Sequence, residues 1–553
     1  MLRPIILAAT ALLVTYLYNR LRYKRFQQHA KLPQVPSSLL FGHLKALDEL
    51  IKRGAADRHP GTSRASSDSF VRCLTNPQSD VMFSEMHESL GRPPLMFVDL
   101  RPVNRPMVLI SSYEVAEQVS KASPKFPTSI PKTDLSYMLH LTGPTSILHV
   151  HGDEWKALRK KYNPAFAPQH LMTLLPRILD KIPNFIQHLD ALTQTGKEFS
   201  LVTLATNLAF DIIGAVVLDV DLEAQPLDLS QQGELVRLYV ELYSAYWDDK
   251  ANFPWWLIPK TEMKRRRLGK RINLLVKDII RAKHAEQKAQ GENHSRSILS
   301  LSLQDSNHLS PTLLDETCDQ IKTFLLAGHD TASITISWVF YWLTRTPHAL
   351  RAVREELDGL LGKARDPEAI RAKLLSPDGP ELIRKMPYIS AVIKEALRLH
   401  PPAATARSVK QGSGFQVRAP DGNDYCLDDT IIYNCEGLIQ RDPGVYGESA
   451  YYFKPERWLD SASDSSIPAG AWRPFERGPR GCIGQDFAMI EIRIIIAVIV
   501  RRYDFIKVGL GELDLDGKNQ PTVDKNGILL SRSEVYSVSC HMSYIMRIQA
   551  AVI

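Results

Sequence analysis

Residues 473–485, RPFERGPRGCIGQ, set one cysteine among three glycines and three arginines, and the chain runs straight on into DFAMIEIRIIIAVIVRRYDF. The apolar-rich run after Gln485 reads as a helix, so Cys482 stands at its amino end. There the positive end of the helix dipole and the nearby amide donors favour thiolate over thiol. Glycines at 478, 481 and 484 take away side chains where the backbone must turn sharply or let a flat group come close. Arg480 adds a donor fork shaped for carboxylates. The plain alternative is a buried cysteine in a glycine-rich loop.

A thiolate beneath a flat, carboxylate-bearing ligand is the arrangement that a haem held by an axial cysteine requires. The other cysteines add no competing chemistry. Six are scattered along 553 residues without a C-x-x-C pair, which indicates neither a disulfide framework nor a thiolate zinc site, and points to reduced thiols in a cytosol-facing compartment.

Charge is informative once it is divided along the chain. Arg3, Arg20, Arg22, Lys24, Arg25, Lys31 and Lys45 fall before residue 48 with no acidic residue among them; removing these 7 from 68 leaves 61 basic against 61 acidic residues. The net +7 therefore lies wholly in the amino-terminal segment, and the neutral body is not that of a nucleic-acid-binding domain. The segment itself, PIILAATALLVTYLYNRLRYKR, is an apolar run capped by a basic cluster. Residues 1–21 have about the 20-residue length that spans a bilayer. A cleaved signal carries its charge before the apolar stretch, whereas here the charge follows it and keeps the carboxyl side cytoplasmic. The expected organisation is a membrane anchor over 1–21, a basic, proline-containing linker over 22–44 and a catalytic domain over 45–553. The sequon Asn293-His294-Ser295 would then face the cytosol and stay unmodified.

Helical periodicity dominates the body, as in 171–192, 265–290 and 313–342, and strand-like alternation is confined to short stretches such as 107–110, 430–434 and 534–540. Residues 54–69 and 460–469 read as polar loops. The fold class is mainly α (α+β), one large helix-rich domain with a small β portion.

The pattern Phe475-x-x-Gly478-x-Arg480-x-Cys482-x-Gly484 resembles, without exception, the cysteine signature of the cytochrome P450 family, in its fungal microsomal type. Further motifs follow in that family's order from about residue 33 onward. Trp155 and Arg159 match W-x-x-x-R; AGHDTA over 327–332 matches the oxygen-activation motif; Glu395 and Arg398 match E-x-x-R; Arg457 lies in the P-E-R segment. The resemblance implies haem b with Cys482 as axial iron ligand. Phe475, Gly478, Gly484, Ala327 and Gly328 would then lie against the porphyrin, with Trp155, Arg159, Arg407 and Arg480 toward its propionates. It also implies a structural triad of Glu395, Arg398 and Arg457. Phe324, Ala327, Gly328, Thr331 and Thr335 share a helical face that the resemblance places over the haem. A mid-helix glycine costs about 1 kcal/mol relative to alanine, and Gly328 would repay it by letting dioxygen and substrate approach. Thr331 and Asp330 would be catalytic, passing protons during oxygen activation.

Two departures stand out: Ala332 where Thr or Ser is usual, and Gln440 where His is commoner. Residues 509–514, GLGELD, do not complete a dinucleotide fingerprint, so electrons are expected from NADPH through a membrane-bound cytochrome P450 reductase, with cytochrome b5 as a further donor. The implied activity is insertion of one oxygen atom from O2 into a bulky apolar or aromatic small molecule, such as a fungal polyketide or terpenoid, at the endoplasmic reticulum membrane. Met138, Leu139, Trp247, Phe253, Trp255, Ala404 and Val535 are the expected pocket residues. The alternatives are a haem-thiolate isomerase or dehydratase that does not use O2, and a non-catalytic haem-binding protein; the former type tends to lose the acid–threonine pair that this chain keeps.

Overall fold

The structure, a computed structural model, describes residues 2–50, 79–246, 256–290, 296–459, 467–509, 512–517, 520–524, 527–530 and 545–551. The expected loop at 54–69, the strand at 534–540, the sequon, and Trp247, Phe253, Trp255 and Val535 lie outside the described residues. The chain forms two units, one drawn from 1–133, 404–450 and 467–481, the other from 134–403, 451–466 and 482–553.

In chain order the elements used below are α1 (Leu2–Phe26), β1 (Leu95–Val98), β2 (Met107–Ile110), α2 (Tyr113–Ser120), α3 (Gly152–Tyr162), α4 (Pro168–Thr173), α5 (Leu175–Leu179), α6 (Ile182–Thr195), β3 (Phe199–Ser200), α7 (Leu201–Ile213), α8 (Glu234–Ser244) and α9 (Pro259–Gln290). They continue with α10 (Pro311–Arg345), α11 (Pro387–Leu399), β4 (Thr405–Ser408), β5 (Gln416–Arg418), β6 (Asp424–Cys426), β7 (Ile431–Asn434), α12 (Gln485–Ile499), β8 (Tyr503–Lys507) and β9 (Ile545–Ala550). The chain is mainly helical with small sheets.

The first unit is built on a sheet of order β1-β2-β7-β4, in which β2 and β7 run parallel and the other pairs are antiparallel. Residues 107–110 read as MVLI, without a polar alternate, because both faces of the sheet are covered. Leu95, Phe97, Val108 and Ile110 pack with Val115, Ala116 and Val119 of α2. Met96, Val98, Met107 and Leu109 pack on the other side with Leu44, Leu47, Met82, Phe83 and Met86.

The segment expected as a linker, 22–44, is packed onto this unit, and α1 runs past residue 21 to Phe26. The buried Arg25 guanidinium pairs with buried Asp99 at 2.8 Å and donates to the carbonyls of Leu39, Leu40 and Arg101. Arg101 meets the same carboxylate at 2.8 Å and donates to the Lys24 carbonyl at 2.7 Å. Burial opposes the charge on Asp99, but the two guanidiniums hold its carboxyl below the usual carboxylate range.

In the second unit the expected helix over 171–192 is three helices, α4, α5 and α6. Pro176 and Pro183 each fall in the first turn of a new helix, where the missing N–H costs nothing but an unbroken helix cannot continue. The longest helix, α10, starts where the sequence places it: the Ser310 hydroxyl accepts from the Leu313 amide, with Pro311 in the first turn. Among the described residues two stretches are long and apolar enough to cross a membrane, residues 4–26 and 201–218. The latter, α7 and its continuation, is mostly buried and is a core helix; the former is exposed over residues 4–20. The sheet of this unit has order β3-β9-β8.

Candidate functional site

The cysteine loop divides between the units: Phe475, Gly478 and Arg480 belong to the first, Cys482 and Gly484 to the second. In the first unit the loop is clamped by buried charge. Glu476 accepts from Ser120 Oγ at 3.1 Å, Asn434 Nδ2 at 2.8 Å and Arg473 Nε at 3.0 Å. Arg473 also reaches Glu117 and the Ser120 hydroxyl. Burial would raise the Glu476 carboxyl, yet Arg473, Asn434 and Arg407 bring it below its ordinary value. Gln440, the departure from the family pattern, braces the same loop, its side-chain oxygen accepting from the Arg473 amide at 2.9 Å. Gly478 is required outright, since its φ is +76° and a Cβ there would stand 2.1 Å from the Ser120 carbonyl oxygen.

Arg407 lies on β4, an edge strand of the sheet, opposite Ile432 of β7, with 0 % exposure. Its Nη1 donates to Ser129 Oγ and the Ile130 carbonyl, while Nε and Nη2 are buried with no hydrogen-bond partner among the described residues. Desolvation of these two donors costs free energy that an anion would return. Burial accordingly lowers the Arg407 pKa from its ordinary value, against the pull of Glu476.

In the second unit Gly484 caps α12 and Cys482 stands just before it with an exposed side chain. The thiol opens on a recess of about 350 Å³ lined by Arg159, Asn163, Phe166 and residues 483, 485 and 486, among others. Burial lowers the Arg159 guanidinium from its usual value, and the neighbouring Cys482 pushes it back. On α3 Trp155 is buried and Arg159 half-buried.

The middle of α10 has one opening. Between residues 317 and 341 every side chain is buried except those at 326, 327, 328, 330 and 331. Ala327, Gly328, Asp330 and Thr331 are thus accessible, but two members of the expected face are not. Phe324 is buried edge-on between Tyr162 and Phe166, at centroid distances of 5.2 and 5.3 Å, and Thr335 is buried with its hydroxyl on the Thr331 carbonyl. Gly328 also has a packing reason. A Cβ there would lie 2.7 Å from Ile213 Cδ1, so the glycine lets α7 close on α10.

The Thr331 hydroxyl donates to the Ala327 carbonyl at 2.8 Å, a bond back to its own helix. The Asp330 carboxylate accepts from the Tyr243 hydroxyl at 2.7 Å. No sequence spacing joins α8 to α10, so Tyr243 escapes motif reading. The Arg473 clamp escapes it too, although three arginines in a turn-rich stretch were the available signal.

The triad is assembled. Buried Glu395 meets Arg398 at 2.8 Å and Arg457 at 3.0 Å, and also accepts from Trp458 Nε1 and the Lys454 amide. Burial opposes its ionisation, but Arg398 and Arg457 hold the Glu395 carboxyl below its ordinary value.

A family model described as Cytochrome P450 matches residues 72–530. The chain is 31% identical over 459 residues to the cytochrome P450 monooxygenase acrF of Aspergillus aculeatus, covering 78% of this chain and 87% of that protein. It is 26% identical over 536 residues to the cytochrome P450 monooxygenase polC of Polytolypa hystricis, covering 94% and 89%. Among solved structures, the cytochrome P450DA heme domain superposes with a TM-score of 0.66 at 16% identity, over 94% of this chain and 98% of that one. With an exposed thiol at a helix amino end, a buried cation short of an anion and a family match across most of its length, the chain belongs to the cytochrome P450 family of monooxygenases.

Proposed function

We propose that this protein inserts one oxygen atom from O2 into a bulky, largely apolar or aromatic small molecule of fungal secondary metabolism, as a haem enzyme anchored in the endoplasmic reticulum membrane by α1. The balance is RH + O2 + NADPH + H+ giving ROH + H2O + NADP+, so two electrons must come from a partner, an NADPH-dependent reductase. The residues present fit haem b. Cys482 offers an accessible sulfur, and Arg407 offers two buried N–H groups that a propionate would satisfy. Arg159, Trp155 and Arg480 supply further donors, while Phe475, Gly478 and Gly484 shape the cysteine loop. When bound, the haem supplies O2 activation driven by thiolate electron donation.

The chain's own residues supply orientation and protons. Thr331 presents a hydroxyl and Asp330 a carboxylate at the opening of α10, and Glu395, Arg398 and Arg457 fix the scaffold. Half-buried Met138 and Leu139 and exposed Ala404 offer apolar surface to a substrate. The single observation that carries the reading is that the acid–alcohol pair sits at the one accessible stretch between residues 317 and 341, the otherwise buried middle of α10. The test is co-expression with a fungal reductase in a host fed candidate polyketides and terpenoids under 18O2. Product carrying one 18O, absent in a Cys482→Ala strain, supports the reading; product formed without O2 or NADPH sinks it.

A further inference from the structure

Asp330 and Thr331 are neighbours in the chain, yet each is hydrogen-bonded elsewhere. Thr331 is turned onto the Ala327 carbonyl, and Asp330 is held by Tyr243 in the last turn of α8. Among the described residues the Tyr243 hydroxyl is the only side-chain donor to that carboxylate. A hydroxyl donating to a charged oxygen at 2.7 Å is a strong class of hydrogen bond.

The tyrosine ring is itself fixed. It packs edge-on to His329 at 5.9 Å and 79°, and His329 is stacked on Phe210 at 3.9 Å and edge-on to Tyr239 at 5.9 Å. His329 Nδ1–H donates to the Leu325 carbonyl at 2.6 Å, which fixes the imidazole in turn. Burial lowers the His329 pKa, so a neutral ring rather than a cation backs the tyrosine. Two consecutive residues of α10 therefore grip one residue of α8, His329 by its ring and Asp330 by its carboxylate.

We propose that Tyr243 is the positioning residue for Asp330: its hydroxyl sets the carboxylate in one orientation at the opening of α10, and without it proton delivery during oxygen reduction slows. The inference rests on the reading of Asp330 as the acid that passes protons. Nothing in the chain spacing requires it, because the bond joins residues from two helices 87 positions apart.

The experiment compares the haem-loaded full chain with Tyr243→Phe, Asp330→Asn and the double variant, using only NADPH, O2 and a microsomal reductase. Two outcomes compete for the electrons: O2 + NADPH + H+ giving H2O2 + NADP+, and O2 + 2 NADPH + 2 H+ giving 2 H2O + 2 NADP+. Water formation needs prompt protonation, so the water-to-peroxide ratio reports on proton delivery without any knowledge of the substrate. Losing one hydrogen bond to a charged group should lower that ratio about tenfold. The same fall is expected in Tyr243→Phe, in Asp330→Asn and, without further loss, in the double variant. Urea unfolding supplies the second readout: the midpoint shifts of the two single variants should be non-additive. Phe keeps the ring on His329, so the variant folds. A normal ratio in Tyr243→Phe beside a lowered one in Asp330→Asn overturns the proposal and leaves the acid role standing. A normal ratio in both removes the acid role itself, and additive midpoints show that the bond is not made.

Discussion

Gly328 offers a way to decide between two reasons for one residue. Replacing it with Ala puts a Cβ 2.7 Å from Ile213 Cδ1, 2.8 Å from Cγ1 and 3.3 Å from Cβ, all inside ordinary contact distance. Overpacking of this kind costs about 1–3 kcal/mol. Alanine returns about 1 kcal/mol of helix propensity, so the net expectation for Gly328→Ala is a destabilisation of about 0–2 kcal/mol. In an Ile213→Ala background the two nearest atoms are gone, and the Cβ that remains at 3.3 Å needs to give by only a few tenths of an ångström, so helix propensity dominates. There the same substitution should stabilise by about 1 kcal/mol. The assay is urea unfolding followed by far-ultraviolet circular dichroism on the four proteins of the cycle, with an interaction energy of about 1–3 kcal/mol expected for a pair in contact. An identical effect of Gly328→Ala in both backgrounds would refute the packing argument. Slower O2-dependent NADPH oxidation in Gly328→Ala at unchanged stability would return the residue to the role of an oxygen passage.

The other expectations can be checked with the same protein. Glu395→Gln leaves two buried guanidiniums without their counter-charge and should cost about 3–5 kcal/mol, measured as a loss of urea midpoint. The same carboxylate titrates below its ordinary value in the fold, so its stabilisation is present above the unfolded-state pKa and is lost as pH falls through the lowered folded value; acid unfolding should flatten in the variant. Buried Glu491 on α12 behaves in the opposite sense, for burial pushes its carboxyl up to about 8. Folding must then retain a proton, stability falls as pH rises from the ordinary value of 4.5 toward 8, and Glu491→Gln should remove that slope. Gly478→Ala should displace the cysteine loop, seen as loss of the red-shifted Soret band of the reduced carbon monoxide complex, because both the φ of +76° and the Ser120 carbonyl oppose a side chain there.

What the sequence discloses is set by range. Local signals place the capped start of α10, the helix after Cys482 and the apolar strand β2, since caps, periodicity and runs are properties of neighbouring residues. Motif spacing locates the Glu395 triad, although only the fold brings Arg457 to it, along with Trp458 and the Lys454 amide. Features that depend on what a neighbouring helix does are not legible in the sequence: Phe324, expected on the open face, lies among aromatic rings, and the room that Gly328 makes for Ile213 has no motif to announce it. The prolines that separate α4, α5 and α6 are legible, but hydrophobic periodicity runs through them and masks the breaks. Tyr243 and the Arg473 clamp answer to no local rule, because their partners come from distant segments.

The ion cluster at the end of α1 bears on how the enzyme would stand in a lipid bilayer. A tether of loose residues would let the body swing, whereas Arg25, Asp99 and Arg101 cannot part without leaving charge stranded out of water. Any rotation of the first unit about α1 must break that lock, so if α1 anchors the chain as proposed, its tilt would be handed directly to the unit it carries. On the proposed reading, the attitude of that unit toward a reductase in the same membrane would then be set when the chain folds.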